Sequence, residues 1–133
     1  MHVLDVKNIL KNDLNFSESS IIKLEKFVVF LLKYNKSYNL ISKSTEKSVW
    51  TRHVLDAAQL LRFLDQDKKL ILADLGTGAG FPGAVLSIFD KKNNFHVKLY
   101  EKSPVKRTFL NQLKEMLGLN YQVLGDVYTE NLD

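Results

Sequence analysis

Four of the six glycines in this chain fall within eight positions, in Asp74-Leu-Gly76-Thr77-Gly78-Ala-Gly80-Phe81-Pro-Gly83. Closely spaced glycines let a backbone turn sharply and let a ligand approach where a Cβ would block it. An apolar run of strand length, Leu70 to Leu75, precedes them, and Phe81 to Phe89 reads as a helix with Pro82 in its first turn. The first N–H groups of such a helix point at whatever the loop holds. Glu101, eighteen positions on from Gly83, ends the next strand, where a carboxylate can accept both hydrogen bonds of a ribose diol. Strand, glycine loop, helix and a distal acid together describe a nucleotide-cofactor site.

Two frames fit the loop. Gly78-Ala-Gly80-Phe-Pro-Gly83 matches the dinucleotide fingerprint, which implies NAD and an oxidoreductase fragment. Asp74-Leu-Gly76-Thr-Gly78-Ala-Gly80 places an acid at the strand end and glycines at every second position. That acid repels a pyrophosphate and suits the positively charged methionine end of S-adenosylmethionine, so this frame is favoured. Outside the loop, His53 and Asp56 lie three apart on one helix face, as a wall of the cofactor or RNA site or as a surface hydrogen bond. Lys33, Lys36, Lys43 and Lys47 surround Tyr34 and Tyr38, with only Glu46 opposing. Lysines there can pair with phosphates and a tyrosine can stack on a base, or the segment is a solvated helix end.

Composition sets limits on these readings. The 133 residues, 45% apolar and 26% charged, fit one soluble globular domain. With no cysteine there is neither a disulfide nor a thiolate metal site, which fits a cytoplasmic protein, and three histidines without ligand spacing argue against a metal. The longest apolar run, Phe27 to Leu32, cannot cross a bilayer, and no signal peptide is visible. The net charge of +4 resides in residues 1–69, where twelve basic residues face eight acidic ones; residues 70–133 balance. That excess is solvated surface or a face for an anionic partner such as nucleic acid.

The elements that must position these residues follow from periodicity. Val3 to Leu10 carries a short amphipathic pattern, and Ser17 caps a helix to about Tyr38 that Asn39 ends in a left-handed cap. A third helix runs from Ser44 or Thr45 to about Leu64, burying Trp50, Val54, Leu55, Ala58 and Leu61. Phe95 to Glu101 is a second strand, Ser103-Pro104 starts a helix that Gly118 ends, and Tyr121 to Leu124 is a third strand. The expected fold is α/β: a helical segment over 1–69, then over 70–133 the βαβαβ first half of a Rossmann-like parallel sheet. Leu70 to Leu75 is apolar enough for a central strand, yet no later strands follow, so it is expected as an exposed edge.

Three segments resemble the bacterial 16S ribosomal RNA guanine-N7 methyltransferases of the glucose-inhibited division protein B family. They are Tyr38-Asn39-Leu40-Ile41, Arg52-His53-Val54-Leu55-Asp56, and Asp74 to Gly83 followed by Leu86-Ser87-Ile88. Lys106-Arg107 before Phe109-Leu110 also fits, and the likeness covers about residues 20 to 125. The phrase Gly-Thr-Gly-x-Gly-Phe-Pro-Gly is far more specific than a bare glycine loop. The resemblance implies a class I methyltransferase that uses S-adenosylmethionine to methylate guanine N7 in 16S rRNA of the small ribosomal subunit.

It further implies that Asp74 sits near the amino-acid end of the cofactor. Gly76, Thr77, Gly78, Gly80 and Phe81 would contact it, Glu101 would hold the ribose, and Asp126 with Val127 would flank the adenine. Arg52, His53 and Asp56 join Lys33, Lys36, Tyr38 and Lys43 as RNA-binding candidates. No catalytic side chain is assigned, because N7 carries a free lone pair and needs no general base. The family usually has Arg, a small residue and Glu after the third strand, where this chain reads Asp126-Val127-Tyr128. The family's further strands are also missing, so the chain is expected to be C-terminally truncated, and a non-catalytic RNA- or ribosome-binding remnant is an alternative.

Overall fold

The computed structural model describes residues 1–90 and 92–128; residues 129–133, assigned above to the second segment, lie outside the described residues. Helix α1 (Val3–Asn12) is closed at its start by a reciprocal cap between His2 and Asp5. Helix α2 (Glu18–Asn35) begins at Ser17, whose hydroxyl accepts from the Ser20 N–H at 3.0 Å. Its stripe of Ile21, Leu24, Phe27, Val28 and Leu31 is buried. The expected extension to Tyr38 with a left-handed Asn39 is wrong. The helix stops at Asn35, Lys36 is right-handed, and Asn39 is not among the positive-φ residues. Buried Asn35 explains the stop: its Oδ1 accepts from the Leu40 and Ile41 N–H groups at 2.8 and 3.0 Å and folds the chain back.

The third helical stretch occupies nearly the expected span but is not one regular α-helix. It winds as a 3₁₀ helix (Lys43–Ser48), a π-helical turn (Trp50–Leu55), a short α3 (Asp56–Ala58) and a second 3₁₀ helix (Gln59–Phe63). Val54, Leu55, Ala58 and Leu61 are buried as expected. Trp50, at the head of the wide π turn, is only half-buried and carries the Lys7 ammonium 5.3 Å from its ring centre. Single-turn π segments interrupt helices preferentially at functional sites, and this one contains Arg52 and His53.

A parallel sheet follows, in the order β1 (Leu70–Leu75), β2 (Phe95–Tyr100), β3 (Gln122–Leu124). Helix α4 (Gly83–Phe89) connects the first pair and α5 (Pro104–Leu117) the second. Pro82 precedes α4 at its cap position instead of lying inside the first turn. Ser103 and a left-handed Gly118 bracket α5 as expected. Phe95, Val97 and Leu99 of the central strand β2 are buried, and α2 packs on both α4 and α5. One core cluster therefore runs from Val6 through Phe27 to Tyr121, spanning the helical segment and the sheet. Strand β1 pairs only with β2 among the described residues, and its other edge is open. That open edge is the one the sequence led us to expect, and Ile71 and Leu75, on one face of the same strand, are 72% and 58% exposed.

Candidate functional site

The carboxyl ends of the three parallel strands lie side by side, which is where open α/β sheets bind ligands. At the end of β1, Asp74 organises the glycine loop. Its Oδ2 accepts from Thr77 Oγ1 at 2.6 Å and from the Gly83 N–H at 2.9 Å. The carboxylate thus ties the strand to the start of α4 and occupies a free donor of that helix. Burial pushes the Asp74 carboxyl above its ordinary pKa; the two hydrogen bonds oppose the shift, and the Glu101 charge adds to it. The Gly76 and Thr77 N–H groups both donate to the Tyr100 carbonyl, so the loop also hangs from β2.

The four glycines divide by role. Gly76 and Gly78 adopt φ of 72° and 59°, and a Cβ at either would meet only open space. They need glycine for conformation and leave room for a ligand. Gly80 and Gly83 face the protein instead. A Cβ on Gly80 would lie 2.8 Å from Ala84 Cβ, and one on Gly83 would lie 2.2 Å from Leu99 Cδ2. This division separates the two frames. In the dinucleotide frame the second glycine must be open to pyrophosphate, yet here it is Gly80, packed against Ala84, Leu110 and Phe27. The helix terminus that would receive the pyrophosphate already holds the Asp74 carboxylate. The geometry fits the frame built on Asp74, Gly76 and Gly78.

Glu101 follows β2 and is 6% exposed. Its Oε1 accepts from the Gly78 N–H and its Oε2 from the Ser103 N–H, each at 2.9 Å. It therefore braces the loop from below, and each oxygen keeps a lone pair for a further donor. Arg107 holds this junction from the other side, donating at 2.8 Å to the carbonyls of Glu101 and Lys102. That positioning role was invisible in the sequence, where Arg107 counted only as half of a basic pair. Asp126 and Val127 are half-buried just after β3, whose Leu124 carbonyl accepts from the Glu101 N–H at 3.0 Å. Asp126 Oδ1 also accepts from the Tyr128 N–H at 3.0 Å. Asp74, Glu101 and Asp126 thus belong to one end of the sheet.

The Arg52-His53-Val54-Leu55-Asp56 motif lies beside this loop. His53 stacks on Phe81 with ring centres 5.0 Å apart, and its Nε2 is 3.2 Å from Thr45 Oγ1. Phe81 stacks in turn on buried Phe27 at 5.2 Å. Burial lowers the His53 pKa, Asp56 raises it and Arg52 lowers it, so the neutral ring is favoured. Arg52, His53, Asp56, Gln59, Leu60, Phe63, Phe81 and Pro82 line one open cleft of about 440 Å³. His53 and Asp56 therefore share a cleft wall with the end of the glycine loop. Thr45 and Phe81 were not read as partners of His53, and no sequence spacing links them.

The lysine group is less gathered. Lys33, Lys36 and Lys43 are exposed, and Tyr38, 47% exposed, leans on Tyr34 at 5.1 Å, which itself meets Phe109. Glu46, read as the one charge opposing the lysines, accepts from Asn35 Nδ2 at 2.6 Å. None of these residues lines the His53 cleft. Among the described residues no group of three or more His, Asp or Glu could hold a metal, and no helix is long and apolar enough to cross a membrane.

The family model for GidB, rRNA small subunit methyltransferase G, matches residues 20–130. Three similar curated proteins carry the name ribosomal RNA small subunit methyltransferase G. The one from Orientia tsutsugamushi (strain Ikeda) is 36% identical over 121 residues, 91% of this chain and 59% of the relative. That from Pelagibacter ubique is 38% identical over 122 residues, covering 89% and 56%. That from Cereibacter sphaeroides (strain ATCC 17029) is 43% identical over 114 residues, covering 84% and 55%. The chain thus spans a little over half the length of the curated relatives it matches.

Proposed function

This chain belongs to the GidB family of rRNA small subunit methyltransferase G proteins, and on that premise we propose that it binds S-adenosylmethionine for methylation of guanine N7 in 16S rRNA. One observation carries the cofactor reading. The loop is open at Gly76 and Gly78, while Asp74 fills the helix terminus that a pyrophosphate would need. Asp74 would lie near the cationic amino-acid end, Glu101 near the ribose, and Asp126 with Val127 beside the adenine. Thr77, Gly80 and Phe81 shape the loop around it.

When bound, S-adenosylmethionine supplies a methyl group activated by its positively charged sulfur. The guanine N7 lone pair is free to attack, so no residue has to remove a proton. What this chain contributes is placement. Asp74 and Glu101 fix the loop, and the Phe27–Phe81–His53 stack fixes its outer edge. The exposed Lys33, Lys36, Lys43 and Arg52 would meet rRNA phosphates, in the cytoplasm where ribosomes are found.

The exposed Lys33, Lys36 and Lys43, none of which lines the His53 cleft, favour a second reading, in which the chain binds RNA without transferring a methyl group. Calorimetric titration with S-adenosylmethionine, with NAD as control, followed by a methylation assay on small ribosomal subunits, separates the possibilities. The proposal requires saturable binding of S-adenosylmethionine alone. Binding of NAD alone would overturn it, and salt-dependent RNA binding without cofactor binding or transfer would establish the second reading.

A further inference from the structure

The cleft between the third helical stretch and Phe81-Pro82 has a chemical pattern that general RNA affinity does not require. Its apolar surface includes Leu60 and Phe63, 41% and 82% exposed. Its polar side includes Asp56 and Gln59, three positions apart where α3 passes into the 3₁₀ helix, so they project from one face. Asp56 is exposed, and its carboxylate has no hydrogen bond or ion pair to any described residue. Gln59 is oriented: its Oε1 accepts from Arg62 Nε at 2.5 Å, which leaves the amide NH₂ as its free end. A bare carboxylate beside a bare amide donor, against an apolar wall, is a recognition surface with a defined polarity.

An extruded base is read by hydrogen bonds to its Watson–Crick edge and by stacking on apolar or aromatic side chains. Among the common RNA bases only guanine presents an acceptor, O6, next to two adjacent donors, N1–H and N2–H. We propose that this cleft selects guanine, with Asp56 accepting from N1–H and N2–H and Gln59 donating to O6. Adenine offers N1 as an acceptor, which a carboxylate repels, and inosine lacks the N2 donor. Arg52, in the same lining, is suited to the phosphate beside the base. Recognition through N1–H, N2–H and O6 makes no use of N7, which lies on the adjacent Hoogsteen edge and stays open to the methyl donor. The base selectivity stands on the cleft; its use in N7 methylation rests on the function proposed above.

The test is an NMR titration of the 133-residue chain with the RNA trinucleotides UpGpU, UpIpU and UpApU. A good bidentate contact discriminates against a wrong base by about 5- to 150-fold. We expect UpGpU to bind at least about tenfold more tightly than UpApU, with UpIpU between them, and the shifts to centre on Asp56, Gln59 and Leu60. Asp56→Asn should erase the preference for guanine, because its amide NH₂ opposes N1–H and N2–H. Gln59→Glu, which faces O6 with a carboxylate, should weaken UpGpU binding selectively and serves as the independent variant if Asp56→Asn misfolds. Equal binding of the three RNAs, shifts elsewhere, or a preference that survives both substitutions would overturn the inference. Calorimetry with S-adenosylmethinonine on the same samples keeps the two readings apart. Cofactor binding without guanine preference sinks only the base reading, and guanine preference without cofactor binding sinks only the methyltransferase reading.

Discussion

The glycine loop and the helical stretch beside it are built on opposite terms. In the loop the polar groups satisfy one another: Asp74 takes Thr77 and Gly83, Glu101 takes Gly78 and Ser103, and Tyr100 takes Gly76 and Thr77. In the helical stretch Arg52 and Asp56 face solvent from a π turn and its exit. A closed hydrogen-bond set fixes a shape, and a ligand then fits the space left over. An open set has no shape of its own to defend and is available to a partner. On the function proposed above, rigidity falls to the loop that would meet the cofactor and recognition to the helical side, with the His53–Phe81 stack as the contact between them.

The sharpest way to break this division is inside the loop, where two glycines look alike in sequence and differ in surroundings. Gly83→Val would drive its Cβ into Leu99 and crowd Asp74. Overpacking of this kind costs about 3 kcal/mol or more where the neighbours cannot give, and urea unfolding should show it. Gly78→Ala places its Cβ in open space and is strained only by its positive φ, at about 1–2 kcal/mol. Its main effect should be loss of S-adenosylmethionine binding in a chain that still folds. Equal destabilisation by the two substitutions would contradict the assignment of one glycine to packing and the other to ligand approach.

Asp74→Ala comes next in size. Hydrogen bonds to a charged acceptor contribute about 1.5–3 kcal/mol each, but removing a carboxylate that burial already disfavours offsets part of the loss. We expect a net destabilisation of about 1–3 kcal/mol in urea unfolding, together with loss of cofactor binding in the folded fraction. A variant that binds S-adenosylmethionine like the parent would remove Asp74 from the site and reduce it to a helix cap.

Much of this contrast was legible in the sequence, and the parts that were not share a cause. The glycine phrase, the Ser103-Pro104 start, the Gly118 stop and the three strands are local signals, written in consecutive residues, and each appears where expected. The early end of α2 depends on buried Asn35 reaching forward to Leu40 and Ile41, which no propensity encodes. The 3₁₀ and π winding of the third stretch has the apolar spacing of an α-helix, so periodicity reads it as one. At the site, Thr45 beside His53 and Arg107 over the Glu101 carbonyl are products of tertiary folding. The open edge of β1 was foreseeable because it follows from strand count and order instead of from side-chain geometry.

The smallest effect tests the two regions by their opposite response to pH. His53 has a pKa lowered by burial, so its neutral form is the one that the fold favours. Its contribution to stability is complete above the unfolded value of 6.5 and is lost as pH falls through that value toward the lower folded one. His53→Phe keeps a ring to stack on Phe81 and cannot titrate. The stability of the parent relative to this variant should therefore decline as the pH falls below 6.5 and be flat above it. Asp74 has the opposite sign. Its raised folded pKa makes its contribution complete below the unfolded value of 3.8 and lost as pH rises through the folded value. Measured against Asp74→Asn, the parent should lose relative stability on going from acid toward neutral pH. A His53→Phe difference that is constant from pH 5 to 8 would mean that the ring is held in both protonation states, and burial could then not be what disfavours its charged form.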